Sequence, residues 1–136
     1  MRNFELRDFF RHQMAYLLLW TAIERYCTLR WGFGENPVAR VNRLATEPAF
    51  ARALKQHVQE TRRVYRADRP DRTAERLDPD DPARSIKFYY QVRSNISHRG
   101  KSVHDERALV AQSLNELSAI FRDVLDATLG PRRNPA

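Results

Sequence analysis

The sequence predicts an all-α protein, an antiparallel bundle of four to five helices. Three observations indicate this class. Apolar residues recur at spacings of three and four along most of the chain, as they do on one face of a helix. Glycines and prolines fall where helices are expected to start or stop. No stretch shows a clean strand alternation, and the Asn-Gly and Asp-Gly pairs typical of hairpin turns do not occur in the sequence.

The length of 136 residues fits one domain. We expect this domain to span 1–131 and to be followed by a disordered tail at 132–136. Cys27 is the only cysteine, so an intrachain disulfide and a four-thiolate zinc site are both excluded. This cysteine usage, the lack of signal-peptide features and the shortness of the longest apolar run, Met14 to Trp20, predict a cytoplasmic protein without a membrane span.

The charge balance is strongly basic, with a net charge of +7 and a pI of about 10.2. Surface cations attract phosphates and release their counterions, so this balance favours a nucleic-acid partner. Only three of the basic residues are lysines, at Lys55, Lys87 and Lys101. An arginine bias of this kind also arises in GC-rich genomes, so charge alone leaves both interpretations open.

The first helix is predicted from about Phe4 to Trp31, and Gly32 to Pro37 end it. It is apolar around most of its circumference, which indicates either a central bundle helix or half of a dimer interface. One face carries Phe10, Met14, Leu17, Thr21 and Glu24, and much of the rest carries Phe9, Tyr16, Leu19, Trp20, Ile23 and Cys27.

A short helix is predicted over Val38 to Ala45, and Thr46-Glu47-Pro48 then starts another that reaches about Arg66. Residues 67–81 mix prolines with charges and have few apolar anchors, so we expect an exposed, flexible loop.

Asp80-Asp81-Pro82 is a good start signal for the next helix, which Gly100 is expected to end. The last helix begins between Ser102 and Asp105 and ends at Gly130-Pro131. Its apolar seam suits nearly antiparallel packing in a bundle. The seam consists of Val110, Leu114, Leu117, Phe121 and Val124.

The segment Arg93 to Lys101 concentrates the polar chemistry of the chain in nine residues. On an unbroken helix, Arg93 and His98 would lie about 140° apart and would not converge. Two arrangements would bring them together. Either the helix loosens at Ser97-His98, or two copies of the chain pool their residues across a twofold axis.

The arginine, the histidine that follows it after four intervening residues, the asparagine among those four and the Arg-Gly-Lys tail resemble the signature of the HEPN superfamily (higher eukaryotes and prokaryotes nucleotide-binding). Arg93 matches its arginine and His98 its histidine. The polar position after the arginine holds Ser94, with Asn95 one place later. The first helix, with Glu24-Arg25 near its end, is also similar to HEPN proteins, so the resemblance covers about Phe4 to Leu129.

The resemblance implies a HEPN-like helical bundle and a metal-independent endoribonuclease with no cofactor, acting on RNA through a composite site in a homodimer. His98 would exchange a proton near neutral pH, and Arg93 would bind phosphate. Asn95 or Ser94 would give polar support. A growth-arresting toxin or a phage-defence effector would fit this activity, and a toxin would imply an antitoxin protein as a further partner.

Other residues have candidate supporting roles. Glu24 is expected either to hold Arg93 or His98 in place, or to point to solvent or pair with Arg25 or Arg30. Arg99 and Lys101 are candidates for RNA phosphate contacts, and Tyr90 is a candidate for stacking a base. The remaining histidines are too scattered to predict a metal site; they are His12, His57 and His104.

Two alternatives remain. One is a catalytically silent HEPN-like module that binds nucleotide, RNA or a partner protein. The other is a plain helical interaction domain that dimerises through its first helix.

Overall fold

The computed structural model describes the backbone of residues 3–32, 36–66, 69–99 and 103–130, and the side chains of residues 7–32, 36–65, 74–97 and 107–130. Most of these residues are helical, as the sequence predicts. The described elements are α1 (Asn3–Trp31), α2 (Pro37–Leu44), α3 (Pro48–His57), β1 (Arg62–Arg66), β2 (Arg69–Leu77), α4 (Pro82–Arg99) and α5 (Val103–Leu129). Gly100, Lys101 and the expected tail lie outside the described residues.

Two described helix starts are capped by a side chain, and the cap at Asp81 is the one that the sequence predicts. Asn36 accepts a hydrogen bond from the Ala39 backbone N–H at 2.8 Å, just before the proline that opens α2. Asp81 does the same for the Arg84 N–H at 3.1 Å at the start of α4. The end of α1 is also as predicted, because Gly32 adopts a φ of 85° and donates to the Thr28 carbonyl.

Glu47 does not cap its helix as the sequence predicts. It stands at the N-cap position of α3, but its side chain makes no capping hydrogen bond. Its carboxylate instead accepts the Tyr26 hydroxyl at 2.8 Å and pairs with Arg30, also at 2.8 Å. Glu47 therefore ties α1 to the turn between α2 and α3.

The expected helix to Arg66 and the expected loop at 67–81 are both corrected by the structure. Helix α3 ends at His57, and most of the segment beyond it forms an antiparallel hairpin of β1 and β2. The sequence does not show the alternation of apolar and polar residues typical of a strand, because an arginine, Arg62, occupies an inward position of β1 next to that of Val64. An isolated two-stranded hairpin is marginally stable, and this one packs against α4.

The core lies between the helices and under the hairpin, and large aromatic side chains dominate it. Trp20, Tyr16, Tyr89 and Phe50 are fully buried, and each such side chain stabilises the fold by roughly 1.5–3 kcal/mol. The predicted seam of α5 is confirmed, since it faces this core with only Leu114 partly exposed.

Helix α1 has one buried side and one exposed apolar side, so it is not enclosed on all sides by this chain. Phe10, Met14 and Leu18 are 48%, 64% and 67% exposed. They follow one another at intervals of four residues and form a continuous strip, called the α1 strip below. None of the described helices has a stretch apolar enough to cross a membrane.

Candidate functional site

The site is built on the second half of α4, where it crosses α1. The guanidinium of Arg93 pairs with the carboxylate of Glu24 on α1, with 3.5 Å between Nη2 and Oε1. It also lies over the ring of Tyr90, 5.3 Å from the ring centroid. Tyr90 in turn meets the buried Trp20 edge to face at 5.3 Å. The core thus supports Tyr90, and Tyr90 and Glu24 together support Arg93.

This arrangement holds a guanidinium in place without burying it. The Arg93 side chain keeps 30% of its surface exposed, and Glu24 keeps 34%. A guanidinium has five N–H donors in a rigid fork, so one carboxylate oxygen leaves most of them for another anion. Arg93 can therefore bind a phosphate in an orientation that the protein has already set.

Glu24 pairs with Arg93, one of the partners that the sequence suggested for it. Arg30, an alternative partner, instead forms an ion pair with Glu47. The contact links residues 69 positions apart on two helices, and it places the carboxylate beside the α4 segment rather than in the apolar core.

Asn95 is buried and joins α4 to the hairpin. Its Nδ2 donates to the Tyr65 carbonyl at 2.7 Å, and its Oδ1 accepts from Gln91 Nε2 at 2.8 Å. This positioning contact is one that the sequence did not reveal, because Tyr65 was expected in a helix. Ser94 is partly exposed next to Arg93.

His98 and Arg99 occupy the last turn of α4, and their side chains lie outside the described residues, as does all of Lys101. The helix continues without a break to Arg99. The helix therefore does not loosen at Ser97-His98, which is one of the two arrangements that would bring Arg93 and His98 together. On this continuous helix, the backbone positions 93 and 98 are about 140° apart around the axis.

A cleft of about 240 Å³ opens between α1 and α2 on the other side of Glu24. Its lining includes Arg25, Arg40 and the carboxylate of Glu24 together with Thr28 and Cys27, so it carries charges of both signs. The Cys27 thiol is buried, and burial, followed by the nearby charges of Glu24 and Glu47, raises its pKa to about 12. It is therefore a neutral packing residue at neutral pH.

A second polar pair, which sequence reasoning missed, joins α3 to α5. His57 Nε2 and Asp123 Oδ2 are 2.7 Å apart, beside a cleft of about 380 Å³ lined by Arg52 and Asp126 among others. Their separation of 66 positions gives no local signal in the sequence. Among the described residues, no three histidine, cysteine or carboxylate side chains gather closely enough to hold a metal ion.

A half-buried ion pair fixes the hairpin to α5. Arg62 and Glu116 form two parallel hydrogen bonds, one of them 2.9 Å long between Nη1 and Oε2. Glu116 also accepts the Tyr89 hydroxyl at 2.9 Å. Burial lowers the pKa of Arg62, but the hydrogen bonds and charge of Glu116 outweigh this and raise it overall.

Comparison with known proteins gave no match, whether to a family model, to a curated protein or to a solved structure.

Proposed function

We propose that this protein is a metal-independent endoribonuclease of the HEPN type. The observation that carries the proposal is the partly exposed guanidinium of Arg93, which Glu24 and Tyr90 orient. His98 follows Arg93 by five positions on the same helix. The basic net charge of +7 supports an RNA substrate.

The chemistry needs no group beyond the side chains of the motif. The 2′-hydroxyl of RNA attacks the adjacent phosphorus, the O2′–P bond forms and the P–O5′ bond breaks. His98 accepts the proton of the 2′-hydroxyl or delivers one to the leaving 5′-oxygen, and water carries out the other of these two proton transfers. Arg93 donates to the phosphate oxygens as negative charge develops on them, a contribution worth about 10²–10³ in rate. The products are a 2′,3′-cyclic phosphate and a 5′-hydroxyl.

The straight course of α4 supports a composite site in a homodimer. One chain holds Arg93 and His98 on different sides of a helix, so we infer that each phosphodiester meets Arg93 of one protomer and His98 of its partner. The α1 strip supplies an apolar surface for that dimer. Glu24 follows Leu18 by six residues, about 9 Å along the axis and about 120° around it, so the strip and the site lie on neighbouring faces of α1.

The alternative is a HEPN-like module without catalytic activity that binds nucleotide or RNA, or that acts as a dimeric interaction domain. The cleft between α1 and α2 offers the guanidinium of Arg25 to a small anionic ligand, and the α1 strip offers an apolar surface to a protein partner. A role as a toxin or a phage-defence effector belongs to the ribonuclease proposal. It predicts growth arrest on expression, relieved by an antitoxin if one exists.

The proposal is tested by incubating the purified protein with single-stranded RNA in EDTA. We expect cleavage that leaves a 2′,3′-cyclic phosphate, loss of cleavage in His98→Ala, and retained cleavage in the control His12→Ala. Cleavage that requires added Mg²⁺, or full activity in His98→Ala, would contradict the proposal. RNA binding without cleavage would favour the alternative.

A further inference from the structure

The outward face of the hairpin carries two arginines and a tyrosine. Arg63 stands directly opposite Arg76 in the strand register, and Tyr65 follows on the same face, opposite Ala74. Both arginines are exposed, and Tyr65 is 46% exposed. The inward positions alternate with these, and they are occupied by Arg62, Val64 and Leu77. The outward face is therefore well defined and open to solvent.

The pairing of Arg63 with Arg76 costs stability in the isolated protein, because like charges directly opposite each other on adjacent strands repel. A carboxylate at either position would stabilise the hairpin instead. In the part of the chain that the structure describes, neither arginine forms a salt bridge. Arg62, one position earlier, contrasts with them, because it points inward and is compensated by Glu116. An anion lying across Arg63 and Arg76 would remove the repulsion.

Tyr65 adds an exposed aromatic ring to these two cations. Arginines that follow a phosphate backbone, combined with rings that stack on bases, are the usual elements of surfaces that bind single-stranded nucleic acid. A surface that bound only a small anion would not need the ring. The combination therefore favours a nucleic-acid strand with unpaired bases.

The hairpin also adjoins the candidate active site. The backbone carbonyl of Tyr65 accepts the hydrogen bond from Asn95, which lies three residues before His98. Three residues are about 4.5 Å along a helix axis. The Tyr65 end of the hairpin is therefore close to the last turn of α4.

We propose that Arg63, Arg76 and Tyr65 form a binding platform for single-stranded RNA that leads the substrate to the end of α4. The two guanidiniums contact successive phosphates, and the Tyr65 ring stacks on an unpaired base. The inference rests on the proposed ribonuclease function and deepens it by naming the surface that holds the substrate. Duplex RNA binds this platform less well, because its bases are stacked within the helix.

Fluorescence anisotropy with a labelled single-stranded RNA tests the platform in the His98→Ala background, which does not cut the probe. Adding Arg63→Gln and Arg76→Gln together is expected to weaken binding at least tenfold. It should also reduce the slope of log affinity against log salt by about 1.4, the value for two lost phosphate contacts. Adding Tyr65→Ala is expected to weaken binding at least about fivefold. The matched control is Arg52→Gln with Arg122→Gln, two exposed helix arginines, which should leave the salt slope unchanged.

Thermal melting separates a binding defect from misfolding. The Arg63→Gln/Arg76→Gln variant should melt no lower than its parent, since the substitution removes a repulsion. Unchanged affinity and salt slope in this variant would overturn the platform while leaving the ribonuclease proposal intact. Equal affinity for duplex RNA would overturn the assignment to single strands. No RNA binding by the His98→Ala parent at micromolar concentration would overturn the ribonuclease proposal itself.

Discussion

Glu24 on α1 and Arg93 on α4 form an ion pair, with 3.5 Å between Oε1 and Nη2, and both side chains remain about one-third exposed. The pair contributes little to stability because solvent screens it, with less than about 1 kcal/mol typical of such contacts. The ion pair matters because it orients the guanidinium of Arg93.

Replacing Glu24 with glutamine is therefore expected to reduce cleavage without unfolding the protein. We expect kcat to fall about tenfold, less than the 10²–10³ predicted for Arg93→Ala, because Tyr90 still supports the guanidinium. Steady-state kinetics and a thermal melt measure the two effects. Asp126→Asn, an exposed change on α5, is the control. Unchanged kcat in Glu24→Gln would show that the ion pair does not position Arg93.

The α1 strip is expected to be a dimer interface. Leu18→Glu places a charge on a residue that is 67% exposed in the single chain, so it should leave the fold intact and give a monomer with little cleavage activity. Light scattering at micromolar concentration and the RNA assay measure the two results. The control is Leu129→Glu, a residue exposed to 65% at the end of α5, which should remain dimeric and active. A monomeric wild-type protein would contradict the prediction.

Arg62 is expected to matter for stability. Arg62→Met leaves the carboxylate of Glu116, whose side chain is only 12% exposed, without its cation, at a cost of about 3 kcal/mol. Adding Glu116→Gln should recover part of this loss, because glutamine is neutral and still accepts the Tyr89 hydroxyl. Urea denaturation of the single and double variants measures the difference. A double variant no more stable than Arg62→Met would show that the buried charge is not the cause.

The buried Cys27 thiol predicts both low reactivity and a pH dependence. Its pKa is raised from 9.0 to about 12 in the folded protein, so the unfolded chain ionises first. The contribution of this group to the free energy of unfolding is complete below pH 9 and falls as the pH rises towards 12. Native protein should react with a disulfide reagent at pH 8 only as fast as it opens, whereas unfolded protein reacts at once. Equal rates would contradict the burial of the thiol.

The helical part of the fold follows from local signals in the sequence. Asn36, Asp81 and Gly32 act at helix ends as their residue types predict. The hairpin does not follow from such signals, because the inward position of β1 holds Arg62. That arginine is tolerated only through Glu116, which is 54 positions away and invisible to a local pattern.

The candidate site also combines features that local sequence signals predict with features that depend on distant contacts. Spacing and resemblance identify the motif, and Glu24 is a candidate because a carboxylate on an apolar helix needs a partner. The contacts of Asn95 with Tyr65 and of His57 with Asp123 depend on how distant elements pack. The loosening near His98, one of the two arrangements that the sequence leaves open, is absent for a physical reason, since no residue from Arg93 to Arg99 breaks a helix.

The central claim, that one protomer supplies Arg93 and its partner supplies His98, is tested most directly by subunit complementation. Arg93→Ala and His98→Ala are each expected to be inactive. When they are mixed and allowed to exchange subunits, about half of the dimers are mixed, and each of these regains one complete site. We expect recovery to about a quarter of wild-type cleavage. Subunit exchange is verified with differently tagged chains. If exchange occurs without recovery of cleavage, the two residues act within one protomer and the shared site is contradicted.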